Sequence, residues 1–196
     1  PDGLLGFLIA DVSGKGIPAA LFMLAVRTLA RHPAAIGARP SEVLRQLNAS
    51  LAPDNRSGIF VTATCGLYEP SSGTVHLACC GHPAPLLRRA SGQVEVLPVE
   101  GGVPLGMLEA AAEPAELSLA IHVGDSLVLY TDGITEAIAP DGDSQFGLER
   151  LRDVLADPCS AVPRDCAARL ESALDQFTKA SEPQDDQTLL ILQRIA

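Results

Sequence analysis

The sequence predicts an α+β fold, and three observations carry that prediction. Apolar runs of strand length stand at the start, in the middle and at the end of the chain. Helix-periodic stretches come in two pairs, one after the first run and one before the last. The runs between the pairs are joined by short polar turns rather than by helices, so the order is not the alternating βαβ series of a parallel sheet.

The elements follow in chain order. Residues 4–10 form a continuous apolar run ending at Asp11, the pattern of a buried strand. Pro1-Asp2-Gly3 before it reads as a turn, and the chain reads as an excised piece of a longer protein. Ser13-Gly14-Lys15-Gly16 is a tight polar turn. From Ile17 to about Arg31 the chain is apolar almost all round, with Pro18 in the first turn, which predicts a largely buried helix. Pro33 and Pro40 are expected to break the chain, and Ser41 to cap a second helix over 42–51 that carries Val43, Leu44, Leu47 and Leu51 at helical spacing.

Residues 59–68 and 74–80 make a hairpin about Pro70-Ser71-Ser72-Gly73, and 84–88 and 93–97 a second about Ser91-Gly92. Strands are expected over 117–121 and 126–130, joined by His122-Val123-Gly124-Asp125, with Asp125 a hairpin-turn residue. The Ala-rich stretch 109–116 reads as a loop. Helices are expected over 146–155 and 163–177, and a last buried strand over 188–192.

Composition bounds the function. At 196 residues the chain fits a single domain with a sizeable core, and 47% hydrophobic with 19% charged residues argues against disorder. A net charge of -10 and the absence of any basic run oppose binding to nucleic acid or anionic membrane, which depends on Lys and Arg meeting phosphates. Five cysteines without framework spacing fit reduced thiols in the cytoplasm.

Three acidic positions share a context. Asp11 and Asp132 each follow a strand, and Asp185-Asp186 precedes one. Strand-end carboxylates can converge at one sheet edge, and hard oxygen ligands suit Mg²⁺ or Mn²⁺. Without a cation such a cluster of like charges would be costly. Taken singly, Asp132-Gly133 and Asp185-Asp186 are equally readable as turn residues.

The wording around these sites resembles the SpoIIE-like (RsbU-like) branch of the metal-dependent type 2C serine/threonine protein phosphatases. The stretch from Ala10-Asp11-Val12-Ser13-Gly14-Lys15-Gly16 to Leu21 matches its first signature. Phe60-Val61-Thr62-Ala63, Cys80-Gly81-His82-Pro83-Ala84-Pro85, Val103-Pro104-Leu105-Gly106, Leu129-Tyr130-Thr131-Asp132-Gly133-Ile134-Thr135-Glu136-Ala137, Phe146-Gly147 and Asp185-Asp186-Gln187-Thr188 match later blocks in the same order. The resemblance covers nearly the whole chain. It implies an antiparallel β-sandwich flanked by helix pairs, in four layers α-β-β-α. It implies two Mn²⁺ or Mg²⁺ ions, with Asp11 bridging them, the Val12 carbonyl a further ligand of one, and Asp132 and Asp185 ligands of the other. Asp186 is the lesser candidate of its pair. Hydrolysis would proceed by a metal-activated water, so neither Ser13 nor a cysteine is assigned as nucleophile.

The resemblance also implies a phosphorylated STAS-domain protein, an anti-anti-sigma factor, as substrate. It further implies an N-terminal sensor or receiver domain, a homodimer, and helices near the start of the domain acting as a switch. Two departures qualify it. A further acidic motif (GGD-x-Y-D) expected upstream of residues 4–10 is not in this chain, so the second metal site is expected to be incomplete here. Ser13 stands near the place where eukaryotic members have a His proposed as general acid. Lys15 is a candidate phosphate contact and His82 a structural hydrogen-bonding residue; His32, His76 and His122 read as surface or satisfied positions. A P-loop fails because Gly14-Lys15 is followed by Gly16, and a haloacid-dehalogenase site fails because Asp132 is followed by Gly133-Ile134. The rival that survives is a catalytically weak or inactive phosphoprotein-binding module of the same fold.

Overall fold

The computed structural model describes residues 3–35, 37–53, 55, 58–109, 111 and 113–195. The expected turn at Pro1-Asp2-Gly3 rests on residues outside these. Two sheets, five α-helices and one 3-10 turn (Pro158–Ser160) account for the regular structure among the described residues, and the chain divides into two compact units, each built on one sheet.

The first unit comprises residues 1–84 and 98–120. It holds strands β1 (Leu5–Val12), β2 (Val61–Glu69), β3 (Thr74–Cys80), β6 (Gly101–Gly102) and β7 (Glu116–Ala120), with helices α1 (Ile17–Ala35) and α2 (Pro40–Leu51). The β1-β2-β3 order is antiparallel, and the hairpin between β2 and β3 closes with Gly73 N–H donating to the Glu69 carbonyl at 2.8 Å. Beyond β3, β7 pairs antiparallel over Thr74 to Ala78, and the two-residue β6 pairs parallel with Cys79 and Cys80. One face of the sheet supplies Val61, Ala63, Cys65, Ala78 and Cys80 to a core shared with Val26 and Ala30 of α1 and Val43, Leu44, Leu47 and Leu51 of α2. Leu44 and Leu47 are fully buried, each contributing about 1.5–3 kcal/mol by transfer from water.

Three expectations are corrected here. β1 is an edge strand in which only Ile9 is fully buried, and Asp11 lies inside it, paired with Thr62, rather than after it. α1 is not buried all round: Ile17, Leu21 and Leu24, spaced i, i+4, i+7, are 77%, 62% and 56% exposed. The helix also continues past Pro33 to Ala35; a proline so near the end removes one hydrogen bond from the last turns and leaves the helix unbroken.

Ser41 is likewise not the N-cap of α2. Arg39 holds that position, Pro40 opens the helix, and Ser41 lies in the first turn. Capping comes from across the sheet instead. Glu116 Oε1 accepts from the Ser41 backbone N–H at 3.0 Å and from its hydroxyl at 2.7 Å, while the Arg39 guanidinium lies 2.7 Å from the other oxygen. A carboxylate at a helix N-terminus satisfies donors that the helix itself leaves open. Burial pushes the Glu116 carboxyl up, but the Ser41 N–H, its hydroxyl and Arg39 together outweigh it and hold the group below its ordinary 4.5.

A depressed folded-state pKa stabilises above the unfolded value and is lost as pH falls through the folded value. Glu116→Gln is therefore expected to cost about 1–2 kcal/mol at pH 7 in urea unfolding, with the deficit shrinking once pH drops below 4.5. An equal deficit at pH 7 and at pH 3 would refute the charge-assisted cap.

The second unit comprises residues 85–97 and 121–196. Its antiparallel sheet runs β5 (Val94–Val96), β4 (Leu86–Arg88), β8 (Ser126–Tyr130), β9 (Leu189–Gln193). A short helix α3 (Asp132–Thr135) follows β8, then α4 (Gly147–Ala156) and α5 (Pro163–Thr178). Leu86, Val128, Tyr130, Ile134, Phe146, Leu151, Leu155, Cys166, Leu170 and Leu174 form its core. The Phe146 and Phe177 rings meet edge to face at 5.5 Å between centroids, and the Arg150 guanidinium lies 4.8 Å over Phe177.

The expected hairpin between residues 117–121 and 126–130 is not formed. β7 belongs to the first sheet and β8 to the second, so His122 to Asp125 is a turn between sheets. Asp125 is 3% exposed and accepts from Ala90 N–H at 2.9 Å, His122 N–H at 3.1 Å and Arg89 Nη1 at 3.1 Å. Burial raises its pKa most, yet these three donors outweigh it and hold the carboxyl below its usual range. Asp125 therefore anchors the turn to the end of β4. No disulfide joins the five cysteines; Cys159 is exposed and the others are buried. No described helix is long and apolar enough to cross a membrane.

Candidate metal centre

In the first unit the candidate residues sit where β1 gives way to α1. Alternation along β1 sends Leu8, Ala10 and Val12 into the helix-covered core, so Asp11 projects from the opposite face of the sheet. Asp11 stands across from Thr62, whose hydroxyl lies 2.9 Å from Nδ1 of the buried His82. The Val12 side chain packs in the core, which leaves its carbonyl as the group a cation could use. Ser13 is tied to the neck of β2: its N–H donates to the Phe60 carbonyl at 2.9 Å and its Oγ accepts from Phe60 N–H at 2.8 Å. The hydroxyl thus serves the turn. Gly14 and Gly16 have φ of +85° and +82°, a backbone that L side chains rarely adopt. The Gly16 carbonyl accepts from Ala20 N–H at 3.1 Å as α1 begins, and Lys15 between the two glycines is exposed.

In the second unit Asp132 opens α3 directly after β8, and Asp185 lies in the segment leading into β9, the strand beside β8. The two are brought together by backbone packing. A Cβ built on Gly133 would lie 2.5 Å from the Asp186 carbonyl oxygen and 3.2 Å from the Asp185 carbonyl carbon, a closeness only glycine permits. Asp185 is exposed and its Oδ1 accepts from Asp186 N–H at 3.0 Å. Asp132 Oδ1 is buried with no hydrogen-bond partner.

No group of three or more His, Cys, Asp and Glu among the described residues is gathered closely enough to hold a metal ion. The candidate carboxylates come as Asp132 with Asp185 in one unit and Asp11 in the other. The donor chemistry nevertheless fits a hard divalent cation. A buried carboxylate oxygen without a hydrogen bond is costly, and an oxygen-preferring ion satisfies it.

His82 is the structural hydrogen-bonding residue expected, paired with the Thr62 hydroxyl; sequence reasoning missed Thr131, Gly133 and the partner Thr62. The only signal for the first two was their place on either side of Asp132.

Two sheets of this strand content with paired helices define a PP2C-type α+β fold. The crystal structure of the RsbU and RsbW domains of Rv1364c from Mycobacterium tuberculosis superposes with a TM-score of 0.79 and 26% identity, covering 98% of this chain and 52% of that one. The chain belongs to the SpoIIE family: the family described as Stage II sporulation protein E (SpoIIE) matches residues 1–195. It is a homologue of Phosphoserine phosphatase RsbU from Bacillus subtilis (strain 168), with 29% identity over 196 residues, 97% of this chain and 56% of that protein. The chain thus spans little more than half of that relative. Among structures that share the fold, RsbX is in complex with magnesium (TM-score 0.67, 18% identity) and the catalytic domain of the serine/threonine phosphatase PstP with two manganese ions (TM-score 0.66, 15% identity).

Proposed function

We propose that this chain is the catalytic domain of a metal-dependent protein phosphatase acting on phosphoserine or phosphothreonine. The observation that carries the reading is the buried, partnerless Oδ1 of Asp132, whose neighbour Gly133 packs on the Asp185–Asp186 backbone, in a chain whose family match runs from residue 1 to residue 195. In this reading Asp11, the Val12 carbonyl, Asp132 and Asp185 would be the groups that hold Mn²⁺ or Mg²⁺. When bound, the ions supply a Lewis acid that activates water toward phosphorus and offsets phosphoryl charge. The chain's own part is to fix those carboxylates and to offer Lys15, exposed on the turn after Asp11, to a phosphate oxygen. Ser13, whose Oγ is bonded to the Phe60 N–H, is not a nucleophile.

The substrate is inferred to be the phosphorylated form of a small STAS-domain protein. An N-terminal sensor or receiver domain, or a second copy of the chain, is the inferred regulator. The uncovered stripe of Ile17, Leu21 and Leu24 supports regulation through α1. Only the turn Ser13-Gly14-Lys15-Gly16 separates that helix from Asp11 and Val12 at the end of β1, so displacing the helix displaces ligands in a site that tolerates little movement.

A phosphoprotein panel assayed with Mn²⁺, on this chain and on the full-length protein, tests both parts. Hydrolysis of phosphoserine and phosphothreonine over phosphotyrosine, with higher turnover in the longer protein, is expected. Preference for phosphotyrosine would reject the substrate class, equal turnover the regulation, and no turnover by either protein would favour the binding-module reading.

A further inference from the structure

The geometry points to Thr131 as the residue that positions the Asp132–Asp185 pair, with its hydroxyl acting as a clamp between β8 and the segment leading into β9. The inference rests on the metal-site reading above and adds to it a residue with no ligand role of its own. Thr131 is 1% exposed. Its hydroxyl donates to the Asp186 carbonyl at 2.7 Å and accepts from the Thr188 N–H at 2.9 Å, so a single oxygen holds two peptide groups of the returning chain. Its backbone N–H donates to the Thr188 carbonyl at 3.1 Å, which extends the β8–β9 ladder by one step.

The effect passes to both carboxylates. On one side Thr131 is bonded through the peptide to Asp132, and its carbonyl accepts from Ile134 N–H at 3.1 Å as α3 starts. On the other side the clamped Asp186 donates its own N–H to Asp185 Oδ1 at 3.0 Å. The clamp therefore fixes the residue that orients the Asp185 carboxylate. Gly133 completes the arrangement from below: its missing side chain is what lets the Asp186 carbonyl approach, and its carbonyl accepts from Gln187 Nε2 at 3.3 Å. A residue of this kind matters because divalent oxygen sites depend on ligand placement, and groups that orient ligands commonly change metal affinity by roughly 10- to 100-fold when removed. Valine matches threonine in shape and lacks both hydrogen bonds.

The test is Mn²⁺ affinity of the metal-free full-length protein, measured by calorimetric titration, for wild type and for the variants Thr131→Val, Thr131→Ser, Gly133→Ala and Asp132→Asn, each first melted without metal. Thr131→Val is expected to weaken Mn²⁺ binding by roughly 10-fold or more. Thr131→Ser, which keeps the hydroxyl, is expected to stay within about 2-fold of wild type. Gly133→Ala, at a position with ordinary helical backbone, is expected to weaken binding by pushing the Asp186 carbonyl away, and it tests the same clamp should the valine variant not fold. Mn²⁺ affinity unchanged in Thr131→Val, or in a folded Gly133→Ala where the valine variant does not fold, would overturn the inference. So would a lowered melting temperature alone, or a serine variant as weak as valine. Asp132→Asn separates the two levels. If it too binds Mn²⁺ as wild type does, the metal-site reading itself fails; if it loses binding while Thr131→Val does not, only the clamp fails.

Discussion

Asp132→Asn in the full-length protein is expected to lower kcat at least ~100-fold at saturating Mn²⁺ while leaving the melting temperature of the metal-free protein unchanged or higher. The substitution keeps the shape and replaces one carboxylate oxygen by an amide nitrogen, which is a donor and a poor ligand. Oδ1 of Asp132 makes no hydrogen bond to protein, so the fold has little to lose. Relieving a buried partnerless oxygen can even stabilise it. Asp11→Asn is expected to give a loss of similar size, although Asp11 belongs to the other compact unit. Near-normal turnover in either variant would reject that residue as a ligand.

Phe146→Ala is expected to have the largest effect on stability, about 3–5 kcal/mol. Phe146 is 2% exposed and belongs to a core cluster whose members come from β4, β5, β8, α3, α4 and α5. Its ring also meets Phe177 edge to face, an arrangement that contributes roughly 0.5–1.5 kcal/mol beyond burial. Truncation would leave a cavity and free Phe177, on which Arg150 rests. Urea unfolding followed by circular dichroism measures the shift. As a contrast, Leu24→Ser on the exposed stripe of α1 is expected to change stability by less than about 0.5 kcal/mol. A loss under about 1 kcal/mol for Phe146→Ala would mean that the site collapses or that the ring is not central to the core.

Much of the fold was legible because it is encoded locally. Pro70-Ser71-Ser72-Gly73 between two β-rich runs announces a hairpin, and the apolar spacing of Leu151 and Leu155, or of Cys166, Leu170 and Leu174, announces α4 and α5. The candidate site residues Asp11, Asp132 and Asp185 could be named from sequence because ordered motifs accompany them.

What escaped is long-range. α1 is apolar almost all round, so periodicity could not tell which face the sheet covers and which stays exposed. Ser41 looked like a cap because it precedes Glu42 and a helical pattern, whereas the group that caps α2 is Glu116, 75 residues away. Asp125 sits in a turn, but a turn between sheets looks like a hairpin in sequence, and only the pairing of β7 with β3 and of β8 with β4 separates them. Gly101-Gly102 carries no strand signal; its pairing with β3 is imposed by the neighbouring chain. Thr131 could not be singled out either, since its hydroxyl acquires a role only when residues 186–188 return beside it.

The most direct test is phosphate release from a phosphoserine protein by the full-length protein, first after exhaustive chelation and then with Mn²⁺ restored. No turnover in the chelated sample, full recovery with Mn²⁺, and no recovery in Asp11→Asn or Asp132→Asn are expected. Turnover that persists without metal, or recovery in both variants equal to that of the wild type, would contradict a metal-dependent phosphatase centred on these carboxylates.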